Sequence, residues 1–355
     1  MSTTHDKPAK PASSQAAGSA ASDRLVELLY NPPRWLPTSH AQTIVPALFA
    51  RRPAVDYRRE RWDTPDGDFI DLDWLAYPAG PGDADTPAPD APLFVLFHGL
   101  EGSSDSHYAR VLMASARALG WHGVVPHFRS CSGPLNLAPR FYHLADSAEV
   151  DWILRRLHAT HRGPIVVAGV SLGGNVLLRW LGERGADASF VAAAAAISTP
   201  LDVHAGGRAL SQGFALVYTM SFLKTLKRKA LCKLEQYPGL FDRDAVLACR
   251  TMYEYDNVVT APIHGFRDTE EYWTRATTRP LLPDVVVPTL VLNARNDPFL
   301  PSAALPTRAE VSASIELDQP DAGGHVGFMT GPFPGRIDWL PRRVFNFLEP
   351  HTRHG

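Results

Sequence analysis

Ser171 stands at the junction of two contrasting stretches of the chain. The stretch before it, Pro164 to Ala168, is short, apolar and rich in β-branched residues, which is typical of a buried parallel strand. The stretch after it, Asn175 to Leu181, places apolar side chains at helical spacing. Gly169 and Gly173 flank the serine, so a sharp turn can close around it. This G-x-S-x-G pattern between a strand and a helix predicts a nucleophilic serine on a strained turn.

A serine hydroxyl becomes a good nucleophile only when a base accepts its proton, so a histidine and an orienting acid must lie elsewhere. The stretch Pro288 to Ala294 predicts a buried strand that leads into a turn carrying Asp297. A further short strand, Ser314 to Leu317, precedes the glycine-rich loop that carries His325. Parallel strands bring their carboxyl ends to one edge of a sheet. We therefore predict that Ser171 is the nucleophile, Asp297 the acid and His325 the base.

Acyl chemistry at the serine also needs N–H donors for the negative oxygen that develops on the carbonyl. An apolar core strand precedes the segment His98-Gly99-Leu100. Its position predicts that the backbone N–H groups of Leu100 and Leu172 form this oxyanion hole, with Gly99 allowing the backbone to turn. His98 is predicted to be a structural residue of the loop. Glu101 is predicted to be a solvated carboxylate, and no role is assigned to it.

Composition narrows the class of protein. The 355 residues are 45% hydrophobic, which fits one enzyme domain with an insertion. A formal net charge of −2 gives no electrostatic basis for nucleic-acid binding. The three cysteines are few and far apart, which favours a reducing, cytoplasmic compartment over a disulfide framework. No stretch is long and apolar enough to span a membrane, and no histidine pair has metal-ligand spacing, so we predict no integral membrane segment, no metal and no cofactor.

Strands and helices alternate along most of the chain, which predicts an α/β fold with a mostly parallel sheet covered by helices on both faces. The core is predicted in two parts, residues 23–198 and 288–350, after a disordered Ala/Ser/Pro/Lys-rich tail at residues 1–22. Further predicted elements are a hairpin between 61 and 74, helices at 108–119 and 145–158, a strand at 123–126 and helical pieces at 242–253 and 268–274.

The strand pattern stops between residues 199 and 287, which predicts a helical cap insertion over the site. Within it, an apolar stripe from Leu216 to Leu234 lies beside several lysines and one arginine. Such a stripe can dock weakly on a membrane surface, or it can pack against its own domain. We favour packing against the domain as the main role.

Several segments beyond the predicted triad carry a resemblance to a known family. They are HAQTI at 40–44, TPDGDF at 64–69, HGLEG at 98–102, FRSCSG at 128–133, GVSLGGN at 169–175 and TAPIHGF at 260–266. On these segments the chain resembles the YheT-like branch of the α/β-hydrolase superfamily, a group of serine esterases. The resemblance implies the α/β-hydrolase fold, a charge-relay system of Ser171, Asp297 and His325, and activity on carboxylic esters. The chain departs from the family pattern in two places: Ser130 replaces a glycine, and the segment Tyr142 to Ala145 replaces a His-Ser-Gly segment.

These observations favour a serine carboxylic-ester hydrolase whose partner is a small-molecule ester with a short- to medium-chain acyl group or a lipid-like character. Ser171 would attack the ester carbonyl and form an acyl-serine intermediate that water then hydrolyses. Two alternatives stay open. The same acyl-enzyme could transfer its acyl group to an alcohol or thiol, or the fold could serve as a non-catalytic binding protein.

Overall fold

A single eight-stranded sheet forms the centre of the molecule, in the spatial order β1-β2-β4-β3-β5-β6-β7-β8. The computed structural model describes residues 29–77 and 86–353, so the predicted tail at 1–22 lies outside the described residues. The strands are β1 (Tyr57–Asp63), β2 (Phe69–Leu75), β3 (Leu93–Phe97), β4 (His122–Pro126), β5 (Ile165–Val170), β6 (Val191–Ile197), β7 (Thr289–Leu292) and β8 (Ile315–Asp318).

The strands run mostly parallel, as the sequence predicts. β1 and β2 form the predicted antiparallel hairpin, with Asp63 opposite Phe69 at its closed end. β2 also pairs antiparallel with β4, whereas β3 to β8 pair with their neighbours in parallel. Parallel pairing needs a crossover between successive strands, and helices provide most of these crossovers.

The helices lie on both faces of the sheet and in one long insertion. They are α1 (Ser39–Phe49), α2 (His107–Ala118), α3 (Ser147–Thr160), α4 (Leu172–Arg184), α5 (Val203–Leu210), α6 (Leu216–Gln236), α7 (Arg243–Ala248), α8 (Met252–Tyr255), α9 (Ala261–Ile263), α10 (Thr269–Ala276) and α11 (Trp339–Leu348). Short 3-10 turns occupy Gly185–Ala188, Gly213–Ala215, Arg279–Asp284, Ser302–Ala304, Arg308–Glu310 and Glu349–Thr352, and a π-helical turn covers Asp256–Thr260.

The sheet is the centre of the hydrophobic core because both of its faces are covered. Every residue of β3 and of β5 is buried. One apolar cluster packs α3 and α4 against one face, and a second packs α2 and α11 against the other. Full burial of a leucine- or valine-sized side chain contributes about 1.5–3 kcal/mol, so these two layers hold the sheet rigid beneath the site.

Between β6 and β7 the described chain forms helices and turns without a strand, in the interval where the sequence predicts a cap. That residues 199–287 form a separate cap remains a prediction. The insertion has small apolar clusters of its own, and α6 contributes Leu223, Leu226 and Ala230 to one of them. The stripe on α6 is therefore buried along its middle, whereas Met220 in its second turn is 68% exposed.

Most predicted elements are present, with ends that differ by a few residues. The helical piece predicted at 242–253 is in fact two helices, α7 and α8, which are separated at Cys249 to Thr251. Thr251 caps α8 with its side chain and Glu254 closes a capping box, so a new helix starts there. Sequence analysis predicts neither α1 nor the C-terminal helix α11.

The fold brings the predicted site residues to the carboxyl edge of the sheet. Leu100 follows β3, Ser171 follows β5, Asp297 follows β7 and His325 follows β8. Because β3, β5, β7 and β8 belong to one parallel set, their carboxyl ends point in the same direction.

Candidate active site

Ser171 occupies a strained turn between β5 and α4. Its backbone has φ +54° and ψ −117°, a region that costs a non-glycine residue about 1–3 kcal/mol. A Cβ atom on Gly169 would collide with the backbone of Gly173, and one on Gly173 would collide with the carbonyl oxygen of Phe97. Glycine is thus required on both sides of the serine, as the G-x-S-x-G pattern predicts.

The three residues predicted to act together lie in one hydrogen-bonded chain. The distance between His325 Nε2 and Ser171 Oγ is 3.0 Å, and the distance between His325 Nδ1 and Asp297 Oδ2 is 2.8 Å. The carboxylate is buried, whereas the imidazole retains about a tenth of its exposure. In this arrangement Asp297 can accept a hydrogen bond from a protonated Nδ1. Nε2 then carries the lone pair and can accept a hydrogen bond from the serine hydroxyl.

Phe299 supports both the acid and the imidazole. Its backbone N–H donates to Asp297 Oδ1 at 2.8 Å, so both carboxylate oxygens are engaged. Its ring stacks on the ring of His325 with a centroid distance of 4.0 Å and an interplanar angle of 17°. The imidazole is therefore held in its plane by stacking on one side and by the carboxylate at its edge.

Helix α1 supplies two further positioning residues, which sequence reasoning missed. The Thr43 hydroxyl accepts the backbone N–H of His325 at 2.9 Å. The Gln42 side-chain oxygen accepts from Asn296 Nδ2 and from the backbone N–H of Gly323, both at 2.9 Å. These bonds join the acid loop to the histidine loop. The HAQTI segment at 40–44 contains both residues, but in the sequence it indicated only a family resemblance and not a positioning role.

The loop after β3 presents one unpaired N–H group near the serine. The N–H groups on either side of Leu100 are engaged, because Gly99 donates to the Tyr108 hydroxyl and Glu101 donates to the Tyr142 hydroxyl, each at 2.8 Å. Within the described residues the N–H groups of Leu100 and Leu172 have no hydrogen-bond partner. Both predicted oxyanion donors are thus free to bind a ligand.

Gly99 was expected to allow the backbone to turn, and this physical reason was wrong. Gly99 is not among the residues with positive φ, whereas Glu101 is, at φ +55°. What Gly99 provides is space, because a Cβ at this position would lie 3.3 Å from Ser171 Cβ and 3.4 Å from the Tyr108 hydroxyl. The reversal of the chain in this loop occurs at Glu101.

His98 is structural, as predicted, and Glu101 is not the solvated carboxylate that was expected. His98 Nε2 accepts the N–H of Phe128 at 3.1 Å, its Nδ1 lies 2.8 Å from the Gly99 carbonyl oxygen, and burial lowers its pKa to about 3. The Glu101 side chain is 9% exposed and pairs with Lys229 Nζ of α6 at 2.7 Å. This ion pair ties the loop after β3 to the insertion.

A cavity of about 130 Å³ opens above the serine, between the sheet edge and the insertion. Its wall is mainly apolar and aromatic, with contributions from α5, α6, α8 and α10. Representative lining residues are Leu144, Val203, Phe222, Leu226, Tyr272 and Phe299. Both Ser171 and His325 line the same cavity, so a bound molecule could contact the hydroxyl directly.

The described part of the chain shows no group of three or more His, Cys, Asp or Glu side chains arranged to hold a metal ion. Within the same ranges, none of the helices combines the length and the apolar content that a membrane crossing requires.

Comparison with known proteins decides the family. The profile of the α/β-hydrolase-fold family matches residues 92–332. The chain is 36% identical over 320 residues to "Putative esterase YheT" of Escherichia coli (strain K12), covering 89% of this chain and 92% of that protein. The chain is a YheT-like α/β-hydrolase.

Other relatives extend this hydrolase family to animals. Phospholipase ABHD3 of Mus musculus is 30% identical over 334 residues, covering 92% of this chain and 79% of that protein. The solved structure of the Pyrococcus furiosus esterase Pf2001 in space group P21 superimposes with a TM-score of 0.52, covering 91% of this chain and 100% of that one. At 16% identity, this second likeness supports the fold alone.

Ser130, where the resemblance implies a glycine in the family, has a left-handed backbone. Ser130 has φ +65°, which is unfavourable for a residue with a Cβ. Its hydroxyl donates to Asn136 Oδ1 at 2.6 Å and accepts the Asn136 N–H at 3.0 Å. These two bonds offset the backbone strain at a buried position.

Proposed function

We propose that this α/β-hydrolase is a serine carboxylic-ester hydrolase that works through an acyl-serine intermediate. The observation that carries the proposal is the chain of hydrogen bonds from Asp297 through His325 to the Ser171 hydroxyl, in a cavity that Leu100 and Leu172, with their unpaired N–H groups, also line. Each part of that arrangement has a use in acyl transfer to serine, and no other site in the described residues combines them.

In the proposed reaction, His325 Nε2 takes the hydroxyl proton as Ser171 Oγ attacks the ester carbonyl. Asp297 stabilises the imidazolium that forms and keeps Nδ1 protonated. The N–H groups of Leu100 and Leu172 bind the oxyanion, and donors of this kind contribute about 3 kcal/mol each in comparable enzymes. The imidazolium then protonates the leaving alcohol, and His325 activates a water that releases the acid and regenerates Ser171.

The cavity supports a preference for small esters. Its volume is about 130 Å³ and its wall is mainly apolar, which suits an ester with a modest apolar acyl group. We propose esters with short- to medium-chain acyl groups as the first class of substrate, and longer lipid-like esters as the second.

We also propose weak contact with an anionic membrane surface through the first turns of α6 and the 3-10 turn before it. Phe214, Val217 and Met220 are exposed by 53%, 51% and 68%, and Lys224 and Arg228 follow on the exposed side of the same helix. An apolar patch followed by cations fits the boundary between acyl chains and anionic headgroups.

The free thiols of Cys131, Cys232 and Cys249 support a cytoplasmic location.

The experiment that tests the hydrolase proposal compares Ser171→Ala with a matched control, Ser189→Ala, at an exposed serine. We expect hydrolysis of p-nitrophenyl esters and labelling by a fluorophosphonate to disappear in Ser171→Ala and to remain in Ser189→Ala, because only an activated serine reacts readily. Turnover that persists in a folded Ser171→Ala protein would refute the proposal.

The two alternatives give different results in the same assay. An acyltransferase would be labelled by the fluorophosphonate but would release acid slowly, and an added alcohol or thiol would speed release of p-nitrophenol. A non-catalytic binding protein would give neither labelling nor turnover. A series of p-nitrophenyl esters from acetate to decanoate would show where the cavity stops accepting the acyl chain.

Membrane contact is tested by sedimentation with vesicles of equal parts phosphatidylglycerol and phosphatidylcholine. Met220→Asp should reduce the bound fraction several-fold, whereas Phe333→Asp, at another exposed apolar side chain outside the insertion, should not. Equal binding of both variants would rule out the patch on α6 as the contact surface.

A further inference from the structure

His143 lies in the wall of the cavity, on a loop fixed to the helix that Ser171 caps. Asn175 in the first turns of α4 donates from Nδ2 to the Leu144 carbonyl oxygen at 3.0 Å. The Tyr272 hydroxyl accepts the N–H of Leu144 at 3.0 Å. The loop is thus held between the nucleophile helix and α10, and His143 faces the space above the serine.

The protonation state of His143 follows from its contacts. The backbone N–H of Ala145 donates to His143 Nδ1 at 3.2 Å, so Nδ1 carries the lone pair. The side chain is buried, and burial holds the pKa of His143 well below its usual range. A neutral ring whose Nδ1 accepts a hydrogen bond carries its proton on Nε2. His143 therefore presents an N–H donor at Nε2 near neutral pH.

That donor has no protein partner in the described part of the chain. No hydrogen bond to His143 Nε2 is found there, and the atom retains some solvent-accessible surface. An unpaired atom of a buried residue that still has accessible surface opens onto a void. We infer that this void is the cavity above Ser171, because His143 lines it.

Several other polar side chains of the cavity wall have protein partners. Glu101 pairs with Lys229, and the Asp256 carboxylate accepts from the indole N–H of Trp273 at 2.8 Å. The Ser198 and Tyr272 hydroxyls each accept a backbone N–H and keep a proton that they can donate. Outside the predicted catalytic groups and oxyanion donors, His143 Nε2–H is a nitrogen donor of this wall that has no protein partner in the described residues. A buried donor facing an apolar ligand is left unsatisfied, whereas a ligand oxygen would pair with it.

We propose that the Nε2–H of His143 binds an oxygen atom of the substrate other than those of the reacting ester, so that His143 selects esters with an additional ether, hydroxyl or carbonyl oxygen. This inference rests on the proposed function and deepens it by naming a substrate class. It also assigns a role to the segment Tyr142 to Ala145, where the chain departs from its family pattern.

The test compares esters that differ only by an oxygen in place of a methylene group. For the acyl side the pair is p-nitrophenyl methoxyacetate and p-nitrophenyl butyrate; for the alcohol side it is 2-methoxyethyl acetate and butyl acetate. The measured quantity is the ratio of kcat/KM for the oxygen-bearing ester to that for its carbon analogue. Differences in intrinsic reactivity cancel when the same ratio is compared between variants.

In His143→Phe, which keeps a flat ring and removes the donor, we expect the ratio to fall about three- to tenfold in at least one pair. His143→Gln, which keeps an N–H donor, should retain most of the wild-type ratio. His158→Phe, at an exposed histidine outside the cavity, serves as the matched control. A ratio unchanged by His143→Phe in both pairs would overturn the inference while leaving the proposed hydrolase function intact.

Two further results keep the test decisive. If the wild-type protein hydrolyses none of the four esters, both the proposed function and this inference are wrong. If His143→Phe does not fold, the donor can be observed directly in ¹⁵N-histidine-labelled Ser171→Ala protein, with the His143 signal assigned from His143→Gln. Addition of 2-methoxyethyl acetate should shift the His143 Nε2 resonance more than butyl acetate does, and equal shifts would contradict the inference.

Discussion

Replacement of Thr43 by valine is the most direct test of how this hydrolase positions its histidine. The Thr43 hydroxyl accepts the backbone N–H of His325 at 2.9 Å and donates to the Ser39 carbonyl oxygen at 2.8 Å. Valine keeps the shape of threonine and removes both bonds. The N–H of His325 then has no acceptor on α1, and an unsatisfied backbone donor in a buried setting costs about 1–3 kcal/mol.

We expect this cost to appear mainly in catalysis. The loop that carries His325 contains Gly323, Gly324 and Gly327, so it can shift to find another acceptor more easily than α1 can unfold. A shift moves Nε2 away from Ser171 Oγ. If restoring the reactive geometry raises the activation free energy by the full 1–3 kcal/mol, kcat/KM falls by about 5- to 150-fold.

The assay is hydrolysis of p-nitrophenyl acetate by Thr43→Val, together with the midpoint of thermal unfolding. Thr43→Ser retains the hydroxyl and should recover most of the activity. Thr289→Val is the matched control, because Thr289 is also buried but its hydroxyl donates to the Val287 carbonyl oxygen within the sheet. A value of kcat/KM for Thr43→Val within twofold of wild type, in a folded protein, would refute the proposed positioning role.

Three further predictions concern the loop, the ion pair and a buried acid. Gly173→Ala should prevent folding or lower the unfolding midpoint severely, because the new Cβ collides with the Phe97 carbonyl oxygen; a soluble variant with the wild-type midpoint would contradict this. Lys229→Met should cost about 3–5 kcal/mol in urea unfolding by leaving the Glu101 carboxylate unpaired, and the double variant with Glu101→Gln should recover most of that loss. Desolvation by burial raises the pKa of Asp256 to about 6 from its unfolded value near 3.8, so the folded state binds the proton more tightly and stability should fall as pH rises between these values and level off above them. Asp256→Asn should flatten that dependence and increase stability at pH 8 by up to roughly 3 kcal/mol; an unchanged pH profile in urea unfolding would show that the carboxyl is not perturbed.

Much of the fold could be predicted because its signals are local. Alternation of apolar stretches with helical periodicity identified β3, β5 and β7 to within a few residues, because a buried parallel strand must be apolar on both faces. The edge strand β8, of which only Ile315 is buried, was also located to within one residue. The turn at Ser171 was equally readable. Its glycines are required by contacts within a few residues or with the adjacent strand.

The errors arose where a residue's neighbours come from distant parts of the chain. Glu101 lies between Leu100 and Gly102 in a loop after β3, a setting that suggests a solvated carboxylate. In the structure it is paired with Lys229, which lies 128 residues later, on a helix whose path over the site has no local signature. Gly99 was expected to let the backbone turn, whereas in the structure it provides space for the close approach of Ser171 and lacks a positive φ.

The sequence by itself determined the α/β alternation, the strained serine and the order of acid and histidine, because each depends on composition or spacing within a short window. Only the tertiary structure decided which groups hold those residues in register. Thr43 reaches His325 across 282 residues, and the direction of the unpaired His143 Nε2–H depends on a rotamer set by packing. Hydrogen bonds between distant segments are selected by the geometry of the folded chain, and so they leave no periodic trace in the sequence.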